Sequence, residues 1–186
     1  MGALERWYTA PVGAQSWDEI IDAVHEHGAP FAADLRSLRA ELVALERWIA
    51  APKDLQMCHR DLWADNVRAT HDGAVCVFDW ENAGPADPSQ ELACVLFEFA
   101  GTDLSRARAM YEAYRSAGGP GRIDSRGAFS MLIAQLGHIL ERHCRLWLDN
   151  ISAADRAHRE SGVDEVIQRP HSRSVLEALL EAVNSH

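Results

Sequence analysis

The chain has 186 residues, 47% of them hydrophobic and 25% charged, and its 28 acidic against 18 basic side chains give a formal net charge of −10. That length supports one domain with its own core, 1–186, and the acidic balance argues against nucleic acid as the main partner, because phosphate backbones call for a basic surface. It contains no apolar run of the ~18 residues that a membrane helix needs, so no membrane association is expected.

The N-terminus, Met1-Gly2-Ala3-Leu4-Glu5-Arg6-Trp7, has neither a basic leader followed by an apolar stretch nor the pattern that would make Gly2 a lipid-attachment site. The expected location is therefore the cytoplasm. Cys58, Cys76, Cys94 and Cys144 are widely spaced, sit in apolar contexts and form no Cys-x-x-Cys pair, so they read as buried, reduced thiols rather than disulfides or zinc ligands. Lys53 is the only lysine, and all other basic side chains are arginine.

Along the chain, Ser16-Trp17-Asp18-Glu19 has the form of a capping box and predicts a helix from about Trp17 to His27, stopped by Gly28. From Pro30 to Ala50, Phe31, Leu35, Leu38, Leu42, Leu45 and Ile49 recur at helical spacing. Pro52 ends that second helix. The period then changes: Leu55-Gln56-Met57-Cys58 is a short strand candidate. His71-Asp72-Gly73 sits between the runs Val67–Thr70 and Ala74–Phe78, an Asp-Gly turn that predicts a β-hairpin.

Asp87-Pro88-Ser89-Gln90 reads as a helix start, with Asp at the N-cap and Pro at the first helical position, and the helix runs to about Ala100. Another helix spans Asp103 to Ser116, before Gly118-Gly119-Pro120-Gly121. The longest is expected from about Ser125 to Leu148, with Phe129, Leu132, Ile133, Leu136, Leu140, Cys144 and Trp147 on one face. A last helix covers roughly Ser172 to Val183. The fold class is mainly α with a small β-hairpin.

The chemistry is concentrated in Cys58-His59-Arg60-Asp61-Leu62-Trp63-Ala64-Asp65-Asn66 and Val77-Phe78-Asp79-Trp80-Glu81. This is H-x-D-x-x-x-x-N followed by a second aspartate at the end of the hairpin. In the phosphotransfer template with this spacing, the first aspartate orients and deprotonates the acceptor hydroxyl, while the asparagine and second aspartate hold Mg²⁺ on the nucleotide phosphates. Those roles need a carboxylate base beside the nucleophile and hard oxygen ligands for the metal. Asp61 is the candidate base, and Asn66 and Asp79 are the candidate metal and cofactor residues.

Protein kinases share His-Arg-Asp-Leu and the asparagine, but follow the second aspartate with Phe-Gly and later carry Ala-Pro-Glu. Here Asp79 is followed by Trp80-Glu81, and no Ala-Pro-Glu occurs. Asp79-Trp80-Glu81, with Gly84-Pro85-Ala86-Asp87-Pro88-Ser89-Gln90-Glu91-Leu92-Ala93 downstream, resembles the aminoglycoside/choline phosphotransferase family. Glu91 stands where that family has Asp, and Arg60 where it most often has Gly. The resemblance covers roughly residues 30–150. It implies the C-terminal lobe of a protein-kinase-like fold, ATP as donor, Mg²⁺, a small polar or cationic molecule with a hydroxyl as acceptor, and a structural role for His59 in the catalytic loop. By contrast, Trp63 reads as packing, Glu81 as either metal-proximal or simply exposed, and His138, Glu141, Arg142 and His143 as a polar helix face.

A nucleotide-clamping lobe needs a Gly-rich strand turn and a strand lysine. Before His59 the glycines are the isolated Gly2, Gly13 and Gly28, and Lys53 lies too close to the catalytic loop to be that lysine. The β-rich N-terminal lobe is therefore expected to be absent, whether the sequence is a truncated gene product, a fragment or a single-lobe protein. Two functions follow from this: a phosphotransferase incomplete as it stands, or a catalytically inactive lobe that binds a small molecule or partner. Apolar surface normally covered by the other lobe favours self-association.

Overall fold

A computed structural model describes residues 3–149, 152–168 and 172–185. Along the chain run α1 (Ala3–Thr9), α2 (Ala14–Glu26), α3 (Ala32–Glu46), β1 (Gln56–Cys58), β2 (Val67–Ala69), β3 (Val75–Val77), β4 (Gly84–Ala86), α4 (Pro88–Ala100), α5 (Leu104–Ser116), α6 (Ser130–Leu148), α7 (Ala153–Gln168) and α8 (Arg173–Asn184). Short 3-10 turns cover Ala64–Asn66, Trp80–Asn82 and Arg126–Phe129. Among the described residues the fold is mainly helical with two small antiparallel sheets of two strands each. No described helix is long and apolar enough to cross a membrane.

The contacts divide the chain into two compact units, residues 1–49 with 133–173 and residues 50–132 with 174–186. In the first, Trp17, Ile20, Ile21 and Val24 of α2 join Leu35 and Leu42 of α3, Leu140, Cys144 and Trp147 of α6, and Val163 of α7 in one buried cluster. Phe31 meets Trp147 edge-on at 5.7 Å, the arrangement that the ring quadrupoles favour. The capping box expected at Ser16 is not what starts α2. The helix begins at Ala14, with Gly13 at its N-cap in a left-handed conformation (φ 96°). The Glu46 carboxylate, at the end of α3, accepts hydrogen bonds from Val12 N (3.0 Å), Gly13 N (3.2 Å) and Trp17 Nε1 (2.8 Å). A carboxylate from the next helix thus fixes the backbone that leads into α2, while no side chain caps its first turn.

In the second unit, Leu92, Ala93, Leu96 and Phe97 of α4 are buried, as are Ala107 and Tyr111 of α5, Phe129 and Leu132 ahead of and within α6, and Leu176 and Leu179 of α8. Here α4 starts where the sequence places it. Asp87 caps it, accepting from Ser89 N at 2.8 Å, and the same carboxylate accepts from Lys53 N at 2.9 Å. Likewise Asp103 caps α5 by accepting from Arg106 N at 3.0 Å. The Asp-Gly hairpin is β2–β3, with Val67 opposite Val77 and Ala69 opposite Val75. A second sheet, absent from the sequence expectation, pairs β1 with β4, and sets Gln56 opposite Ala86 and Cys58 opposite Gly84.

Candidate active site

The two small sheets hold the motif between them. β1 delivers the chain into the loop His59–Asn66, and β2–β3 carries it out and back to Asp79. β4 then runs antiparallel to β1. Pairing of the hairpin continues past β3, because Phe78 N donates to Asn66 O at 2.9 Å. That places Asp79 one residue beyond the amide that grips Asn66. The register of β1 with β4, continued two residues, sets Arg60 opposite Asn82, and Arg60 Nε donates to Asn82 O at 2.6 Å. Both arms of the motif are thereby tied together at their bases.

Within this frame Asp61 and Asn66 are in direct contact. Asn66 Nδ2 donates to Asp61 O at 2.9 Å and to Asp61 Oδ2 at 3.1 Å. Asn82 Nδ2 donates to the same Oδ2 at 3.3 Å. Asp61 Oδ1 has no hydrogen bond among the described residues. Asp79 is exposed, has a left-handed backbone (φ 56°, ψ 63°) and starts the 3-10 turn Trp80–Asn82. Its carboxylate is not engaged by any described side chain or amide. Among the described residues no group of three or more His, Cys, Asp or Glu side chains gathers as a metal site.

His59 is buried at 3% exposure, with its ring edge-on to Trp80 at 4.7 Å. Its Nε2 donates to Phe78 O at 2.7 Å, which pins the start of the loop to the end of the hairpin. Trp63 is half-buried and Glu81 is exposed. His138 and Glu141 belong to the other unit. His138 is buried, with Nδ1 3.0 Å from Glu141 Oε2 and Nε2 3.0 Å from Ala10 O.

Three supporting residues escape a reading of the motif alone. Glu91, in α4, accepts from Arg60 N at 2.5 Å and so holds a non-glycine residue at φ 66°. Glu98, two turns further on, accepts from Ala64 N at 3.2 Å at the 3-10 turn that carries Asn66. Asn82 binds both Asp61 and Arg60. The signal for Glu91 is present in the sequence as a carboxylate in the segment after Asp87-Pro88. Asn82 could be found only by knowing that Gly84-Pro85-Ala86 pairs with β1. Beside Glu91, the Cys58 thiol is pushed up to about 12, chiefly by burial and then by that neighbouring carboxylate.

A groove of about 420 Å³ in the same unit is lined by Lys53, Asp87, Ser89, Gln90, Arg122 and Asp124 among others, and by none of Asp61, Asn66 or Asp79. Those three residues lie beside the hairpin instead, Asp61 and Asn66 half-buried and Asp79 exposed. No curated protein and no solved structure matches the chain. The model of the phosphotransferase enzyme family matches residues 5–125, a stretch that includes His59, Asp61, Asn66, Asp79 and the Asp87-Pro88 helix start. By that match over most of its length, the chain belongs to the phosphotransferase enzyme family.

Proposed function

We propose that this chain serves ATP-dependent phosphoryl transfer to a hydroxyl of a small polar or cationic molecule, with Asp61 as the base. The observation that carries this reading is the state of the Asp61 carboxylate. One oxygen is held by two side-chain amides and the other is uncommitted among the described residues. A general base needs that asymmetry, with one oxygen fixing the orientation and the other able to accept the hydroxyl proton. In the reaction Asp61 Oδ1 takes the proton as the acceptor oxygen bonds to the γ-phosphorus and the bond to the ADP oxygen breaks. A net negative chain is compatible with a cationic acceptor.

The residues present fit Mg²⁺. The Asn66 amide donates through its nitrogen, which leaves its oxygen as a ligand, and the Asp79 carboxylate is exposed and uncommitted. Both are hard oxygen donors of the kind Mg²⁺ takes alongside phosphate oxygens. Bound there, the ion would neutralise charge on the transferring phosphoryl group. His59 and Glu91 keep the loop in the shape that presents these oxygens.

The test is ATP consumption against a panel of aminoglycosides and amino alcohols, comparing the parent with Asp61→Asn. Loss of about 10²- to 10⁴-fold in turnover is expected, the usual contribution of a positioned base. Equal turnover by the two proteins would remove Asp61 from that role. A second reading, ligand binding without turnover, is favoured by the position of the sole lysine. Lys53 lines the groove beside Asp87 rather than the Asp61 site. Calorimetric binding of a panel compound with no ATP consumption by the parent would select it.

A further inference from the structure

We infer that Asn82 is a positioning residue for Asp61, and that the turn Trp80–Asn82 exists in this chain to bring it there. The inference deepens the reading of Asp61 as the base and rests on it. Asn82 is bound through both its side chain and its backbone. Its side-chain amide donates to Asp61 Oδ2 at 3.3 Å, and its carbonyl accepts from Arg60 Nε at 2.6 Å. The backbone that carries it is closed by Ala83 N donating to Trp80 O at 3.0 Å, and it leads directly into the β4 pairing with β1. Asn82 is therefore fixed from behind while its amide reaches the carboxylate.

The second donor changes what the first can do. With Asn66 alone, the Asp61 carboxylate could turn about its last torsion, a broad and soft one. Amides arriving from two different loops on one oxygen remove that freedom and leave Oδ1 as the oxygen available to an acceptor. Arg60 belongs to the same device. Its guanidinium lies against Gly84, where an added Cβ would come within 2.7 Å of its Cζ. The small residue at 84 thus makes room for the side chain that grips Asn82 O. The neighbours Arg60, Asn82 and Gly84 work as one clamp on the catalytic aspartate.

The test compares the parent with Asn82→Asp, which keeps the shape but replaces the donor by an acceptor, and with Asn82→Ala, which removes the group. Two readouts are taken on protein that circular dichroism shows to be folded. The first is spectroscopic and needs no substrate: the ¹³Cγ signal of Asp61 and the side-chain NH₂ signals of Asn66. Both should move in both variants, while the Trp147 indole signal in the other unit stays in place. The second is kinetic, with ATP and whichever panel acceptor the parent turns over. There kcat should fall about 10- to 100-fold, the scale of a misplaced catalytic group, with KM for ATP within about twofold. Asn82→Gln should recover part of the loss. Unchanged Asp61 and Asn66 signals in Asn82→Asp overturn the inference, and so does parental kcat in that variant when Asp61→Asn is inactive. If Asp61→Asn is as active as the parent, the base assignment fails instead, and the spectra still decide whether Asn82 holds Asp61.

Discussion

At the scale of single residues, the site is built around two backbones that side chains rarely favour. Arg60 and Asp79 both lie in the left-handed region, at φ 66° and 56°. Each costs of order 1 kcal/mol and persists because neighbours hold it. For Arg60 those neighbours are Glu91 and Asn82, and the space over Gly84 lets its guanidinium lie flat. Gly84→Ala should therefore cost about 1–3 kcal/mol, the range for an added methyl with no room. Urea denaturation measures it, and Arg60→Gly in the same protein should recover part of the loss, since it removes both the obstruction and the backbone strain. An additive double variant would break the link between 60 and 84. The thiols offer a second check. Burial pushes Cys144 up to about 12, and Cys94 higher still, so both should resist a disulfide reagent at neutral pH, along with Cys58. The half-buried Cys76 on β3 should be the first to react.

At the scale of elements, the sequence was most legible where a local signal agreed with the final packing. Asp87-Pro88 and Asp103 announce α4 and α5 and do cap them. Asp72-Gly73 announces the hairpin and turns it. Elsewhere the local signal misled: α2 starts at Ala14 behind Gly13 rather than at Ser16, with Glu46 holding the approach, and a 3-10 turn stands where the first turn of the long helix was expected. α7 carries so little apolar pattern that only Val163 is buried along it. α7 nevertheless packs closely. At Gly162 a Cβ would meet the His143 imidazole at 2.4 Å. Burial first, then Arg159, His158 and Arg142, hold His143 below the usual histidine value of 6.5, with Glu165 opposing them. On the same helix α6, the hydrogen bond from His138, and then Arg145, hold Glu141 below 4.5 against its burial. The signs agree. Below pH 6.5 the unfolded chain takes up a proton at His143 that the folded chain resists, so stability rises with pH across that window. Glu141 contributes stability that is complete above pH 4.5 and lost as pH falls through its folded value. Unit 1 should therefore weaken on acidification in two steps, followed by tryptophan fluorescence during urea unfolding. His143→Gln should flatten the upper step and leave the lower one.

At the scale of the whole molecule, the mainly helical fold with its small hairpin was legible, and the second sheet, β1 with β4, was not. The spacing of Asp61, Asn66 and Asp79 after His59 is a local pattern, and its two carboxylates and one amide are oxygen donors. The clamp that orients them depends on a strand of Gly-Pro-Ala, which has no β-forming composition and pairs only because β1 lies beside it. The same region holds an unusual share of bare apolar surface. Leu55, Met57, Val75, Phe78 and Trp80 are exposed, with Met57 at 74% and Trp80 at 59%. They lie on β1 and β3 or within three residues of them, and among the described residues each of these strands belongs to a sheet of two. Strands of that kind leave backbone donors and acceptors open to pairing with another chain. We propose that a second copy of this chain covers that surface in solution, because apolar side chains beside unpaired strand edges favour association between like molecules. Light scattering across a tenfold range of concentration should show mass rising with concentration. Met57→Lys with Val75→Lys should hold the chain at the monomer mass, because each puts a charge on the strand that would pair. A parent that stays monomeric throughout that range refutes the proposal, and so does a double variant that associates as strongly as the parent. Neither residue contacts Asp61, Asn66 or Asn82 through a hydrogen bond, so ATP consumption by the double variant should match that of the parent at dilutions where both are monomeric.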